Sequence, residues 1–341
     1  MLPILPTMGV GSYASPGWLV SARQLLRRGE LGERDIEELF DDALAVCIAD
    51  QIEAGVDILS DGELRRQRFV FELYENIEGL RRLEPLRRLG VSGYDMAPHY
   101  QRIDPIVAPN GLGVVEDFQA LKRKSPPGVA LKCALPGPLT FARFIDAPPG
   151  VVADLLTELV TTVRGELEQL VRVGATYIQL DEPGLTNAPH GLSNEEAADI
   201  VNRTLEGIPG KLAVHVCFGN NAGRPFAERG LGRLMDALEK LLCNQLVLEF
   251  ANREMAELEV LSTLSQHFEI AAGVIDVKNF HLESYAQVAQ RIRQCLEVLA
   301  AEKLTVTADC GFSALPRYLA REKMTALVGG TRLVRSELGV S

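Results

Sequence analysis

Eight short β-rich runs, separated by longer stretches of helical periodicity, constrain this chain more than any other feature. The runs are MGVGS (8–12), VDILS (56–60), VALKCAL (129–135), TYIQL (176–180), LAVHVC (212–217), LVLEF (246–250), IAAGVID (270–276) and LTVTADC (304–310). Among the intervening stretches are ERDIEELFDDALAVCIADQIEAG, VVADLLTELVTTVRGELEQLVRVG and SYAQVAQRIRQCLEVLAAEK, whose apolar residues recur at three and four. Two of them end in glycine, a common helix stop. Strand and helix in alternation predict an α/β fold with a parallel sheet, and eight strands predict a single-domain (β/α)8 TIM barrel. A length of 341 residues suits that architecture.

One region breaks the rhythm. Residues 79–127, from GLRRLEPLRRLG to LKRKSPPG, contain Arg and Pro and are weakly periodic. They predict an inserted excursion between the second helix and the third strand, placed to serve as a lid or binding loop.

In a (β/α)8 barrel the active site gathers at the C-terminal ends of the strands, so each strand exit can be read for chemistry. The first gives Ser12, the second Asp61 and Glu63 in SDGELRR, and the fourth Asp181 and Glu182 in QLDEPG. The fifth gives His215 and Cys217, the sixth Glu249, the seventh Asp276 and Lys278, and the eighth Asp309 and Cys310. Taken singly, each has an ordinary reading: an Asp after a strand commonly caps the next helix, and a lone buried His is usually a satisfied core residue. In combination they say more. An imidazole, two thiols and a carboxylate converging on one barrel mouth form a tetrahedral zinc set, and the thiols make it unlike a magnesium site. The expected ligands are His215, Cys217, Glu249 and Cys310.

Charge narrows the partners. With 46 acidic and 35 basic residues the net charge is -11, which argues against a nucleic-acid surface. The first residues lack the basic and long apolar segments of a secretory signal, and no uninterrupted apolar run is long enough for a membrane span. The expectation is a cytoplasmic protein. GVGSY and LVGGTR fall short of a phosphate-binding fingerprint. Of six scattered cysteines, Cys47, Cys133, Cys243 and Cys295 sit among apolar neighbours and read as core thiols, whereas polar or Gly residues directly follow Cys217 and Cys310.

These residues resemble the cobalamin-independent methionine synthase family, in its C-terminal catalytic barrel and its short single-barrel relatives. The matching stretches are VGSYASP, GVDILSDGELRR, IQLDEPGL, HVCFG, Glu249 in VLEFA, GVIDVK and ADCGF, in the family's order across residues 9–312. The resemblance implies zinc held by His215, Cys217, Glu249 and Cys310. It also implies a homocysteine pocket in which Ser12 meets the carboxylate while Glu63 and Asp181 hold the amino group. Zinc would convert the substrate thiol to a thiolate, which then attacks an electrophilic methyl group.

Two departures from the family bear on the donor. Its longer members carry a second, N-terminal barrel, whereas residue 9 here already begins the catalytic one. The family's His two residues after the Asp of the seventh strand is here Lys278, a poorer acid near neutral pH. The expected catalytic pair is therefore Asp276 and Lys278, with His281 as a substitute acid. A methylcorrinoid (methylcobalamin or a corrinoid protein), whose cobalt leaves without a proton, fits better than methyltetrahydrofolate. Two rival readings are transfer to another thiol, resembling the epoxyalkane:coenzyme M transferases, and a non-catalytic thiol-binding barrel. Arg65, Arg66 and Arg68 could serve the sulfonate of coenzyme M, but the expectation for them is a solvated charge cluster at a helix start.

Overall fold

In a computed structural model, which describes residues 2–66, 69–84, 98–220 and 223–340, the β-rich runs close into a parallel ring. In chain order the strands are β1 (Ile58–Leu59), β2 (Glu78–Leu83), β3 (His99–Val107), β4 (Ala130–Leu131), β5 (Cys133–Pro136) and β6 (Ile145–Asp146). They continue with β7 (Tyr177–Asp181), β8 (Lys211–Val216), β9 (Gln245–Glu249), β10 (Glu269–Ile275) and β11 (Leu304–Ala308). Six of them form one sheet in the order β11, β10, β9, β8, β7, β5, all parallel. The run that contains β5 also supplies β4, which pairs with β1. The gap between β1 and β11 is closed by the N-terminal segment, where Met8 bridges Ile58 and Thr7 bridges Val306. The barrel therefore has eight staves, as the sequence predicts, but the first is held by single bridges rather than a full ladder.

The helices are α1 (Gly17–Arg27), α2 (Glu33–Ala54), α3 (Val114–Lys124), α4 (Pro138–Ala142), α5 (Val152–Arg172), α6 (Asn194–Leu205), α7 (Met235–Leu238), α8 (Val260–Leu264), α9 (Tyr285–Leu296) and α10 (Arg317–Glu337). Local chemistry sets several ends. Ser193 and Ser284 open α6 and α9 with reciprocal capping boxes, and Gly55 stops α2 in the left-handed conformation. Apolar faces of the helices cover a core running from Leu5 to Val334.

The excursion at 79–127 is more ordered than its weak periodicity suggests. Strands β2 and β3 pair antiparallel, β6 adds to them in parallel, and α3 packs against α2 and α5. Thus α3 occupies the helical layer of the second strand-helix unit, and the true insertion ends before it. Residues 85–97 of the excursion lie outside the described residues. Arg102 fastens β3 to α5 with two bonds to Glu158 at 2.6 and 2.8 Å.

Candidate functional site

The parallel register of β7 and β8 sets Asp181 beside His215, so both side chains leave the ring together. His215 Nδ1 lies 2.9 Å from Asp181 Oδ1, with both side chains buried. Burial opposes the imidazolium, but the Asp181 bond outweighs it and raises the His215 pKa above its usual value. Gln179 donates to the same carboxylate oxygen at 2.7 Å, and Lys132 donates to Gln179 Oε1 at 2.6 Å. Lys132 also donates to the carbonyls of Gly9 and Val10, tying the N-terminal stave to the relay. Its burial inside the barrel pulls the ammonium pKa down to about 7. This chain commits His215 Nδ1 and leaves Nε2, which is buried and has no partner.

Two residues on, Cys217 Sγ lies 3.8 Å from Cys310 Sγ. The bond from Cys217 lowers the Cys310 thiol to about 7 against the effect of burial, while the same bond and burial raise Cys217. Ligand atoms of His215, Cys217 and Cys310 all lie within 4.8 Å of one another. Glu249 is not within that distance of all three. Its Oε2 accepts from Lys278 Nζ at 2.7 Å and from the Phe218 backbone at 3.3 Å, while its Oε1 is buried without a partner.

A buried polar atom without a partner costs about 1–3 kcal/mol, so two beside a thiol pair need a common explanation. A metal ion supplies one. One imidazole nitrogen, two sulfurs and one carboxylate oxygen are the donor set of zinc, and the orphaned Nε2 and Oε1 are the atoms it would engage. On that observation the residues fit zinc.

Other strand-exit residues hold the framework. Asp309 accepts from the backbones of Phe250, Ala251 and Asn252, which locks the turn before Cys310 to the turn after Glu249. Glu182 accepts from the backbones of Leu139 and Thr140 at 3.0 Å each and caps α4. Asp276 has a similar task here: it accepts from the backbone of Lys278 at 2.7 Å and from the Asn279 side chain, closing the turn that carries Lys278.

A cavity of about 1570 Å³ opens over the thiols, and Ser12, Glu63, Asp181, His215, Cys217 and Cys310 all line it. Glu249, Asp276 and Lys278 flank this group and do not line the cavity. Glu63 sits at φ 55°, a left-handed conformation that is strained for a residue with a Cβ and typical of functional sites. Burial lifts its carboxyl to about 8 even though Arg66 works the other way. Space for Glu63 and Ser12 comes from two glycines. A Cβ on Gly11 would stand 2.3 Å from Glu63 Oε1, and one on Gly311 would stand 1.9 Å from Ser12 Oγ.

Arg66 overturns the expectation of a solvated arginine cluster. It is buried, donates to Ala134 O at 3.1 Å and pairs with Glu63 Oε2 at 3.4 Å. Arg65 pairs with Asp117 and Asp41, and Arg68 lies outside the described residues. A tight turn, in which the Arg66 N–H donates to Glu63 O at 3.0 Å, folds Arg66 back onto Glu63.

The model of the family described as "Cobalamin-independent synthase, Catalytic domain" matches residues 5–332. The chain belongs to that family. It is 32% identical over 338 residues to a methionine synthase of Sulfurisphaera tokodaii, covering 99% of this chain and 94% of that one. With a methionine synthase of Thermococcus kodakarensis it shares 31% over 341 residues, covering 99% and 95%. Among solved structures it is similar to a B12-independent methionine synthase from Shewanella in complex with selenomethionine, at a TM-score of 0.83 and 26% identity. That match covers 98% of this chain and 99% of the other. As a member of the cobalamin-independent synthase family the chain is a methyltransferase with a methionine synthase-like catalytic barrel, which implies methylation of homocysteine. Among the described residues no helix is long and apolar enough to cross a membrane.

Proposed function

We propose that this barrel transfers a methyl group to the sulfur of homocysteine, with zinc held by His215, Cys217, Glu249 and Cys310. The observation that carries the reading is the pair of buried, unpartnered ligand atoms, His215 Nε2 and Glu249 Oε1, beside two thiols at the cavity floor. A bound zinc ion supplies one thing: it keeps a coordinated thiol deprotonated at neutral pH.

The chain's own residues do the rest. Glu63 and Asp181 line the cavity as a carboxylate pair suited to the substrate ammonium, and Ser12 offers a hydroxyl to the substrate carboxylate. An arriving ammonium favours the ionised form of Glu63, so binding releases the proton that burial keeps there. Asp181 has two partners to serve, His215 and the ammonium, and so couples the ligand nitrogen to the amino-acid pocket. The bound sulfur attacks the methyl carbon, a carbon-sulfur bond forms, and the donor atom keeps the electron pair of the bond that breaks. The selenomethionine in the Shewanella relative, an analogue of the product, supports an amino-acid thiol as acceptor.

The methylcorrinoid donor expected from Lys278 finds no support, because both the family and the Shewanella neighbour are described as independent of cobalamin or B12. That description favours methyltetrahydrofolate, whose leaving nitrogen needs a proton. Lys278 is unsuited to give it. Its ammonium donates to Glu249 Oε2 at 2.7 Å and does not line the cavity. The start of β3 is proposed to border the cavity, since His99 lines it, and the rest of the excursion expected to form a lid either lies outside the described residues or packs elsewhere. Unchanged protease sensitivity on adding substrate would remove that role.

Zinc X-ray absorption, with and without homocysteine, tests the central reading. The two cysteine sulfurs should become three with homocysteine and stay at two with coenzyme M. Absence of zinc, or a rise with coenzyme M alone, refutes it. Turnover assays with methyltetrahydrofolate and methylcobalamin in parallel then test the donor.

A further inference from the structure

The four proposed ligands would by themselves fill a tetrahedron, whereas a catalytic site needs a position for its substrate. One ligand must give way when the thiol arrives. His215 is clamped through Nδ1 by Asp181, and Cys217 and Cys310 lie against each other at 3.8 Å. Glu249, the carboxylate of the set, already has a cation of the chain on it, Lys278 Nζ at 2.7 Å from Oε2. Both partners are buried, Glu249 at 0% and Lys278 at 6% side-chain exposure.

Burial decides what a displaced Glu249 requires. A carboxylate released inside the protein without a counter-charge is strongly destabilising, whereas one that keeps a hydrogen-bonded ammonium is not. The Lys278 backbone is fixed for this task. Its N–H is held by Asp276, whose own N–H is held by Glu283, and the buried Lys323 donates to both Asp276 O and Glu283 Oε2.

We propose that Lys278 is a positioning residue that takes up the Glu249 carboxylate when the substrate sulfur replaces it. In this arrangement Oε2 would stay on Lys278 whether or not a metal engaged Oε1. Lys278 thus acts through Glu249 and touches neither substrate nor donor. The inference rests on the zinc and thiol reading above, and its test separates the two.

Zinc affinity by chelator competition and sulfur counting by X-ray absorption are measured on the zinc-loaded parent, Lys278→Met and Lys278→Arg. Without the competing ammonium, Lys278→Met should bind zinc about tenfold more tightly and homocysteine about tenfold more weakly, the order expected for a charge-assisted bond. Its sulfur count should stay at two at homocysteine concentrations that bring the parent to three. Lys278→Arg, which keeps the charge, should remain within about threefold of the parent in both readouts. Parent-like zinc affinity together with a third sulfur in Lys278→Met overturns the role of Lys278 and leaves the thiol reading intact. No zinc or no third sulfur in the parent overturns the thiol reading and this inference with it.

Discussion

Replacing Asp181 with alanine tests the link between the amino-acid pocket and the metal ligands. The carboxylate accepts from His215 Nδ1 at 2.9 Å, with the two side chains only 5% and 3% exposed, so water cannot take its place without rearrangement. Without that acceptor the ring is free to turn or to change tautomer, and Nε2 is no longer the committed lone pair. Loss of such a partner typically costs about 10–100-fold in metal affinity, or roughly 1.4–2.8 kcal/mol. Asp181→Asn keeps an oxygen within reach but loses the charge, and should fall at the weaker end of that range. The assay is competition for zinc against a chromophoric chelator at fixed pH, followed by titration with homocysteine. Both affinities should fall in Asp181→Ala, whereas a pocket residue with no hold on His215 would weaken the thiol alone. Zinc affinity within about threefold of the parent would refute the argument and show that barrel packing orients His215 without the carboxylate.

Glu63→Gln should weaken homocysteine binding by about tenfold or more while zinc content stays the same, as read by calorimetry and metal analysis. The same variant carries a pH signature. Because burial lifts Glu63 from 4.5 to about 8, its contribution to stability is complete below the unfolded value and is lost as pH rises through 8. The melting temperature of zinc-free Glu63→Gln should therefore gain on the parent between about pH 5 and pH 9, and a constant difference would show that Glu63 titrates normally. Gly11→Ala drives a Cβ to 2.3 Å from Glu63 Oε1 and should reduce homocysteine affinity with zinc retained; unchanged affinity would mean Glu63 moves aside without consequence. Lys132→Met removes the donor to Gly9 O, Val10 O and Gln179 Oε1 and should destabilise the fold by about 2–4 kcal/mol in denaturant unfolding. A loss below about 1 kcal/mol would show that the relay is dispensable.

The sequence carries the barrel and the thiol site well because both depend on short-range pattern. A buried parallel strand is a run of β-branched and apolar residues, and a polar residue at its end stands out, as His215 and Cys217 do. What escapes such reading depends on the third dimension. Lys132 lies in the third β-rich run, and only pairing with the next strand and curling of the sheet bring it to Gln179 and Gly9. Arg66 looks like part of a solvated charge cluster until Glu63, turned back at φ 55°, is there to receive it. Asp276 and Lys278 are visible as polar strand-exit residues, but that the first shapes a turn and the second holds Glu249 is a matter of distances. The helix Val114–Lys124 escapes because it is short and ends in three basic residues, so its apolar face at Val114, Phe118 and Leu121 covers little sequence.

Closure of the barrel at Thr7 and Met8 fixes an order of events during synthesis. Those residues emerge first, yet their partners Val306 and Thr307 emerge some three hundred positions later, and Arg335 reaches back to the carbonyls of Ile4 and Leu5. Until then the N-terminal stave, already paired with β1, and the growing edge of the sheet each lack a neighbour on one side, the condition under which nascent chains associate wrongly. The loop that must close is nearly the whole chain, so the final step is intrinsically slow. Ser12 leaves the first stave and Cys310 the last, which places the amino-acid pocket and the second thiol on either side of that seam. A chain stalled before its last strand would lack Cys310 and leave the stave that carries Ser12 unpaired on one side.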